Sequence, residues 1–240
     1  MSYLYHTFFF DPLYNLLVLL FDLLPWADAG VVVIVLTVLV RFILSPLSKK
    51  AVITQVKMAK IAPVLKEIKE KYKDNQEEMV KRTLAVYKDG KVNPFSGIFV
   101  IIIQIPILIA IYQIFLHAGF PTIDSEILYS FIKIPSEINT TFLGIIDITA
   151  KSLPLALLAA VSIYFQIKIS MKSQIASSGN SFGDNLARSM QKQMRYFFPI
   201  MVFFISYSIS GVIALYWFTT NLFSIGQEIF VRRKLLEEAS

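Results

Sequence analysis

The chain is 240 residues long, 55% hydrophobic and 17% charged, with a mean hydropathy of +0.61, a composition that excludes a water-soluble globular domain. The absence of cysteine excludes a disulfide framework, a thiolate nucleophile, cysteine-ligated metal and lipid attachment through a lipoprotein cysteine. The formal charge of +6 is compatible with nucleic acid, so the placement of the basic residues has to decide.

Residues 1–28 read as an extracytoplasmic N-terminus. No Lys or Arg precedes Arg41, so the basic start of a cleavable signal is missing. The apolar stretch 13–24 covers 12 residues, too few for about 30 Å of hydrocarbon. Asp11, Asn15 and Asp22 share one helical stripe, which predicts an interfacial amphipathic helix ending at Pro25. Residues 29–47 form the first expected span, interrupted by Arg41 and closed by Lys49 and Lys50.

Residues 48–95 follow as a cytoplasmic segment. Met58, Ile61, Leu65, Ile68 and Tyr72 alternate spacings of 3 and 4, an a/d seam. After a turn at Lys73 to Gln76, Val80, Leu84 and Tyr87 give a second helix that stops at Asp89 and Gly90. The pattern predicts an antiparallel helical hairpin, kinked or broken at Pro63. It carries 12 basic against six acidic residues. Lys57, Lys60, Lys66, Lys69, Lys81 and Arg82 offer a docking surface for anionic headgroups or ribosomal RNA.

Residues 96–116 are 21 uncharged residues, the second expected span. An extracytoplasmic loop (117–151), a third span (152–170) and a cytoplasmic loop (171–195), flexible over its Ser/Gly/Asn-rich 176–185, come next. The 32 uncharged residues 196–227 have basic flanks at both ends, which calls for a hairpin turning at Ser208 to Gly211. This gives spans 196–210 and 211–231 and a tail 232–240; the 36 residues between Arg195 and Arg232 leave roughly 16 per helix after a turn, short enough to predict local bilayer thinning. Twelve Lys and Arg between Lys49 and Lys91, five between Lys168 and Arg195 and three in the tail then lie inside, against Lys133 and Lys151 outside. The expected fold is an all-α integral membrane protein of five transmembrane helices, N-terminus out and C-terminus in, with the interfacial helix and the cytoplasmic hairpin.

Arg41 lies eight residues before Lys49, about 12 Å deeper on a helix. An arginine near a span centre costs about 2.5 to 3.5 kcal/mol on insertion scales, so it should face protein or water. The reading places no acidic residue in the spans to neutralise it. Thr37, Gln104, Gln113, Ser162, Gln166, Thr219, Thr220, Asn221 and Ser224 supply uncharged polar groups instead. Singly, each fits an interhelical hydrogen bond; jointly they suggest a wet groove able to attract an anionic guest. His6 and His117 have no ligand or triad spacing, and neither a phosphate-cradling loop nor an intramembrane protease motif occurs. No catalytic residue, metal or cofactor is expected.

The motifs Val40-Arg41-Phe42-Ile43-Leu44-Ser45-Pro46-Leu47-Ser48-Lys49, Asn93-Pro94-Phe95, Gln104-Ile105-Pro106-Ile107, Ala214-Leu215-Tyr216-Trp217 and Asn221 to Gln227 resemble, in this order, the YidC/Oxa1/Alb3 membrane protein insertases. The likeness runs from Asp11 to Arg233. It implies a bacterial plasma-membrane insertase and chaperone, acting without ATP hydrolysis. It also implies a hydrophilic groove open to cytoplasm and lipid, into which Arg41 fits, with Gln166 and Trp217 at groove-lining positions. Nascent membrane proteins and phospholipid are the implied partners, with ribosome, signal recognition particle receptor and Sec translocon as candidates and a monomer as the working unit. The sequence departs from two better-known branches of the family, which carry a large periplasmic domain and a long basic tail, so ribosome docking through the tail is not expected. A small polar-groove channel or transporter and a non-inserting assembly scaffold are the competing readings.

Overall fold

In lipid a backbone must satisfy its own polar groups, and long apolar runs do so as helices. The computed structural model describes residues 3–93, 96–116, 122–171 and 182–237. Its elements are α1 (Tyr3–Tyr5), a π-helical turn (His6–Phe10), α2 (Asp11–Leu23), α3 (Ala29–Lys71), α4 (Gln76–Asp89), α5 (Ser96–Leu116), strands β1 (Thr141–Phe142) and β2 (Ile146–Asp147), α6 (Leu153–Met171), α7 (Phe182–Ile209) and α8 (Gly211–Glu237). Three helical stretches, Tyr3–Leu23, Ala29–Lys71 and Leu153–Met171, are long and apolar enough to cross a membrane, and Ile102–Phe115 is a shorter apolar helix. The protein is a helical membrane protein whose described strands are one antiparallel pair, Thr141 opposite Asp147 and Phe142 opposite Ile146. His117, Pro94, Phe95, residues 172–181 of the expected cytoplasmic loop, among them 176–181 of its flexible stretch, and residues 238–240 lie outside the described residues.

α8 is the central helix, with α3 and α6 packed along it, α7 on α6 and α5 on α3. Ala29, Ala110, Ala159 and Ala214 are fully enclosed, small side chains that let the helices approach closely. The strand pair marks one end of this bundle, here the loop end; α4 marks the other, the hairpin end.

The N-terminal helix departs from the expected short amphipathic segment. It starts at Tyr3, and the polar stripe is divided: Asp22 is exposed and Asp11 half-buried, but Asn15 is 2% exposed. Its Nδ2 donates to Asp11 O (2.8 Å) and Ile127 O (2.9 Å), and its Oδ1 accepts from Tyr129 N (2.7 Å). Tyr14 Oη accepts from Asp124 N at 2.7 Å. The amide is thus used to satisfy loop backbone, while Leu17, Val18 and Phe21 join the core. Asp28 begins α3 by accepting from Val31 N (3.0 Å) and also holds Leu143 N (2.9 Å). Gly30 is required here, because a Cβ would stand 2.2 Å from the Phe142 ring.

α3 runs 43 residues through Pro46 and Pro63, so the break expected at Pro63 is absent. Pro63 is exposed, and the carbonyl it leaves without a helical donor, that of Ala59, lies on the projecting part of the helix. The hairpin partner α4 presents a different face from the one expected. Of the expected Val80, Leu84 and Tyr87, the first two are 49% and 60% exposed and Tyr87 is half-buried, alongside half-buried Met79, Thr83 and Val86 and buried Leu65 and Val92. Two further lengths differ from expectation: α7 has 28 residues and α8 27, because both continue as helices through their charged flanks, and α7 takes in residues 182–195 of the expected cytoplasmic loop. The break between them falls at Ser210, and they pack little against one another.

Candidate functional site, a polar lane around Arg41

Thr37 and Arg41, one turn apart on α3, lie on its α8 side, where both are buried, 1% and 8% exposed. Arg41 has no carboxylate within ion-pair distance and no hydrogen-bond partner among the described residues. Its electrostatic neighbour is Tyr216 on α8. That tyrosine is itself buried and accepts a hydrogen bond from Gln104 Nε2 of α5. One turn further along α8, Thr220 Oγ1 is buried without a hydrogen-bond partner, and Asn221 Nδ2 donates to Ser162 Oγ of α6 at 3.0 Å. Polar groups of α3, α5, α6 and α8 are thus linked pairwise in one lane, with Tyr216 as the group next to the guanidinium.

Other expected site residues stand differently. Thr37 Oγ1 donates to Val33 O at 2.6 Å, so its hydroxyl serves its own helix. Gln113 is held apart, its Oε1 accepting from Tyr5 Oη at 2.8 Å. Gln166 is half-buried one turn beyond Ser162, and Trp217 half-buried against the core. Thr219 donates to Leu215 O and Ser224 to Thr220 O, both within α8. Of the expected docking residues, Lys57, Lys60, Lys69, Lys81 and Arg82 are exposed, and Lys66 is half-buried, 3.8 Å from Glu70. Arg82 Nε donates to Glu78 Oε1 at 2.7 Å, which holds that carboxyl below its ordinary range.

The reading that no acid enters the spans is corrected by Glu228, 3% exposed within 211–231. It does not serve Arg41. Arg232 Nε and Nη2 donate to Glu228 Oε1 at 2.9 and 2.6 Å, and Nη2 also reaches Gln55 Oε1 and Ser170 O at 3.3 Å. Gln55 Nε2 donates to Ser170 O and Oγ at 3.1 Å, and Gln227 Nε2 to Ser45 O and Oγ at 2.9 Å. These residues tie α3, α6 and α8 together on the hairpin side of Arg41. Sequence reasoning missed them, although Glu228 and Arg232 stand at the i,i+4 spacing that pairs charges on a helix. Towards the loop end the lane stops at Leu36, Ile107, Ile111 and Ile213, all buried and apolar.

The fold and this lane define a helical membrane protein with a buried, unpaired cation among facing polar groups. The chain belongs to the family described as the 60Kd inner membrane protein, whose model matches residues 21–238. It is 32% identical over 205 residues to the membrane protein insertase YidC of Fusobacterium nucleatum, covering 85% of this chain and 86% of that protein. Against the protein of the same name from Clostridium tetani it is 28% identical over 209 residues, 87% of this chain and 84% of the relative. Against that of Wolinella succinogenes the match is 28% over 234 residues, 98% of this chain but 39% of the longer relative. The resemblance drawn from the Arg41 and Tyr216 motifs is therefore met along most of the chain.

Proposed function

We propose that the protein is a membrane protein insertase, taking nascent hydrophobic segments from the cytoplasm into the bilayer along the polar lane, without ATP. The observation that carries this reading is Arg41, buried beside Tyr216, which Gln104 in turn bonds, with no carboxylate within ion-pair distance among the described residues. A polar tail that must cross hydrocarbon meets a shorter barrier where polar groups reach part-way, and an uncompensated cation favours acidic residues in that tail. The apolar segment behind it then partitions laterally into lipid by its own burial. The apolar closure at Leu36 and Ile111 supports a half-open groove over a channel, which needs polar groups at both faces.

In this reading five helices cross the membrane, α3, α5, α6, α7 and α8, with the N-terminus out and the C-terminus in, an orientation that the Lys and Arg distribution supports. The exposed bases of the hairpin receive ribosome, targeting receptor or anionic lipid, and a Sec translocon is a candidate neighbour. The test uses protein in liposomes and a single-spanning substrate with an acidic extracellular tail, scored by protease protection. Protection above empty liposomes that falls with Arg41→Ala is expected; wild type equal to empty liposomes refutes autonomous insertion.

A further inference from the structure

Away from the polar lane, on the opposite side of α6, a cleft of about 340 Å³ opens between α6 and α7. Leu157, Val161 and Tyr164 line one wall, Pro199, Ile200 and Phe203 the other. Apart from the Tyr164 hydroxyl these side chains are apolar. Leu157, Val161 and Ile200 are about half exposed, so the cleft is open sideways, the direction from which lipid reaches a helix. From Leu157 to Tyr164 it follows the helix axis for about 10 Å.

Arg195 stands beside the Tyr164 end of the cleft. It stands one turn before Pro199 on α7, with its guanidinium carbon 5.7 Å from the centroid of the Tyr164 ring. Its Nε is buried and has no hydrogen-bond partner. No carboxylate is recorded within ion-pair distance of it among the described residues. Arg195 is also the last charged residue before the uncharged run 196–227, and Tyr164 and Tyr196, rings 6.2 Å apart, flank it as aromatics do at a headgroup boundary. A positive, under-bonded fork at the boundary and an apolar slot descending from it match a phosphate joined to an acyl chain.

We propose that the α6–α7 cleft is a specific site for an anionic phospholipid, its phosphate on Arg195 and one acyl chain along Val161 and Ile200. The site is independent of the insertase reading. The full chain is purified in detergent and titrated with phosphatidylglycerol or phosphatidylcholine, and bound lipid is counted by native mass spectrometry. Wild type is expected to hold phosphatidylglycerol in preference to phosphatidylcholine, and Arg195→Gln to weaken it roughly tenfold, the loss of one charge-assisted contact. Equal retention by Arg195→Gln and wild type overturns the proposal, as does equal binding of the two lipids. Displacement by an equal concentration of glycerol 3-phosphate overturns the acyl part, since it makes the site one for a free phosphate. Ala160→Phe, which fills the cleft and leaves Arg195 intact, keeps the test decisive if Arg195→Gln fails to fold; undiminished binding there also overturns the proposal.

Discussion

Glu228→Gln removes one partner of an ion pair whose carboxylate side chain is 4% exposed and whose guanidinium side chain is 21% exposed. Breaking a buried pair by deleting one partner costs about 3 to 5 kcal/mol, because the remaining charge stays desolvated. Arg232 retains some access to solvent and its contacts with Gln55 and Ser170, which places the expected loss near the lower bound, about 3 kcal/mol. At about 2 to 4 °C per kcal/mol for a chain of this size, the melting temperature in nanodiscs should fall by roughly 6 to 12 °C. Glu228→Gln, Arg232→Gln and the double variant form a cycle, read by thermal unfolding in one lipid composition. The double variant should be less damaged than the sum of the singles, with a coupling above about 1 kcal/mol. A fall below about 2 °C for Glu228→Gln, or strict additivity in the cycle, refutes the idea that this pair locks α3, α6 and α8 together.

Gly30→Ala sets a methyl against the Phe142 ring and should cost about 1 to 3 kcal/mol, seen as a lower melting temperature and faster proteolysis within 122–150. Arg41→Glu is expected to impair insertion of substrates with acidic tails more than neutral ones, whereas Arg41→Lys should largely retain activity; equal impairment of both substrates argues against electrostatic capture. Asp147 has its carboxyl lowered by bonds from the Thr149 hydroxyl (2.7 Å) and backbone N–H (2.9 Å). A lowered carboxyl adds stability above its unfolded pKa and loses it as pH falls through the folded value. The advantage of wild type over Asp147→Asn in melting temperature should therefore be present at pH 6 and shrink as pH drops below about 4.

The apolar runs made the helices legible, because a backbone in hydrocarbon has few alternatives and a run's length is counted directly. Where helices leave the apolar zone, legibility ended. α3 passes Pro63 and α7 begins at Phe182 because helix continuation there rests on neighbouring turns and tertiary support rather than on hydropathy. Around Arg41 the residue types were readable but not their partners. Gln104 and Asn221 point into the lane, while Gln113, equally polar and on the same helix as Gln104, is taken up by Tyr5. Asn15 illustrates the same limit: periodicity placed it on a stripe with Asp22, but the loop backbone of Ile127 and Tyr129, more than a hundred residues away, decided its surroundings. The choice of α4 face was misjudged because Val80 and Leu84 are the more hydrophobic pair, yet Gly90 and Val92 draw the other side of the helix onto Ile61.

The unbroken course of α3 gives the molecule a lever. Asp28 and Gly30 fix one end against the β1–β2 loop, and the remaining helix is about 64 Å of rod, with Arg41 a little over a quarter of the way along. A tilt of about 5° about that pivot carries Lys71 some 5 Å and Arg41 between 1 and 2 Å, estimated from the helix rise alone. Whatever settles on the projecting hairpin therefore transmits a reduced and geared displacement to the buried guanidinium. The gearing is set by the stiffness of the turns at Pro46 and Pro63, the two places between them where a missing backbone N–H lets the rod bend before the motion arrives.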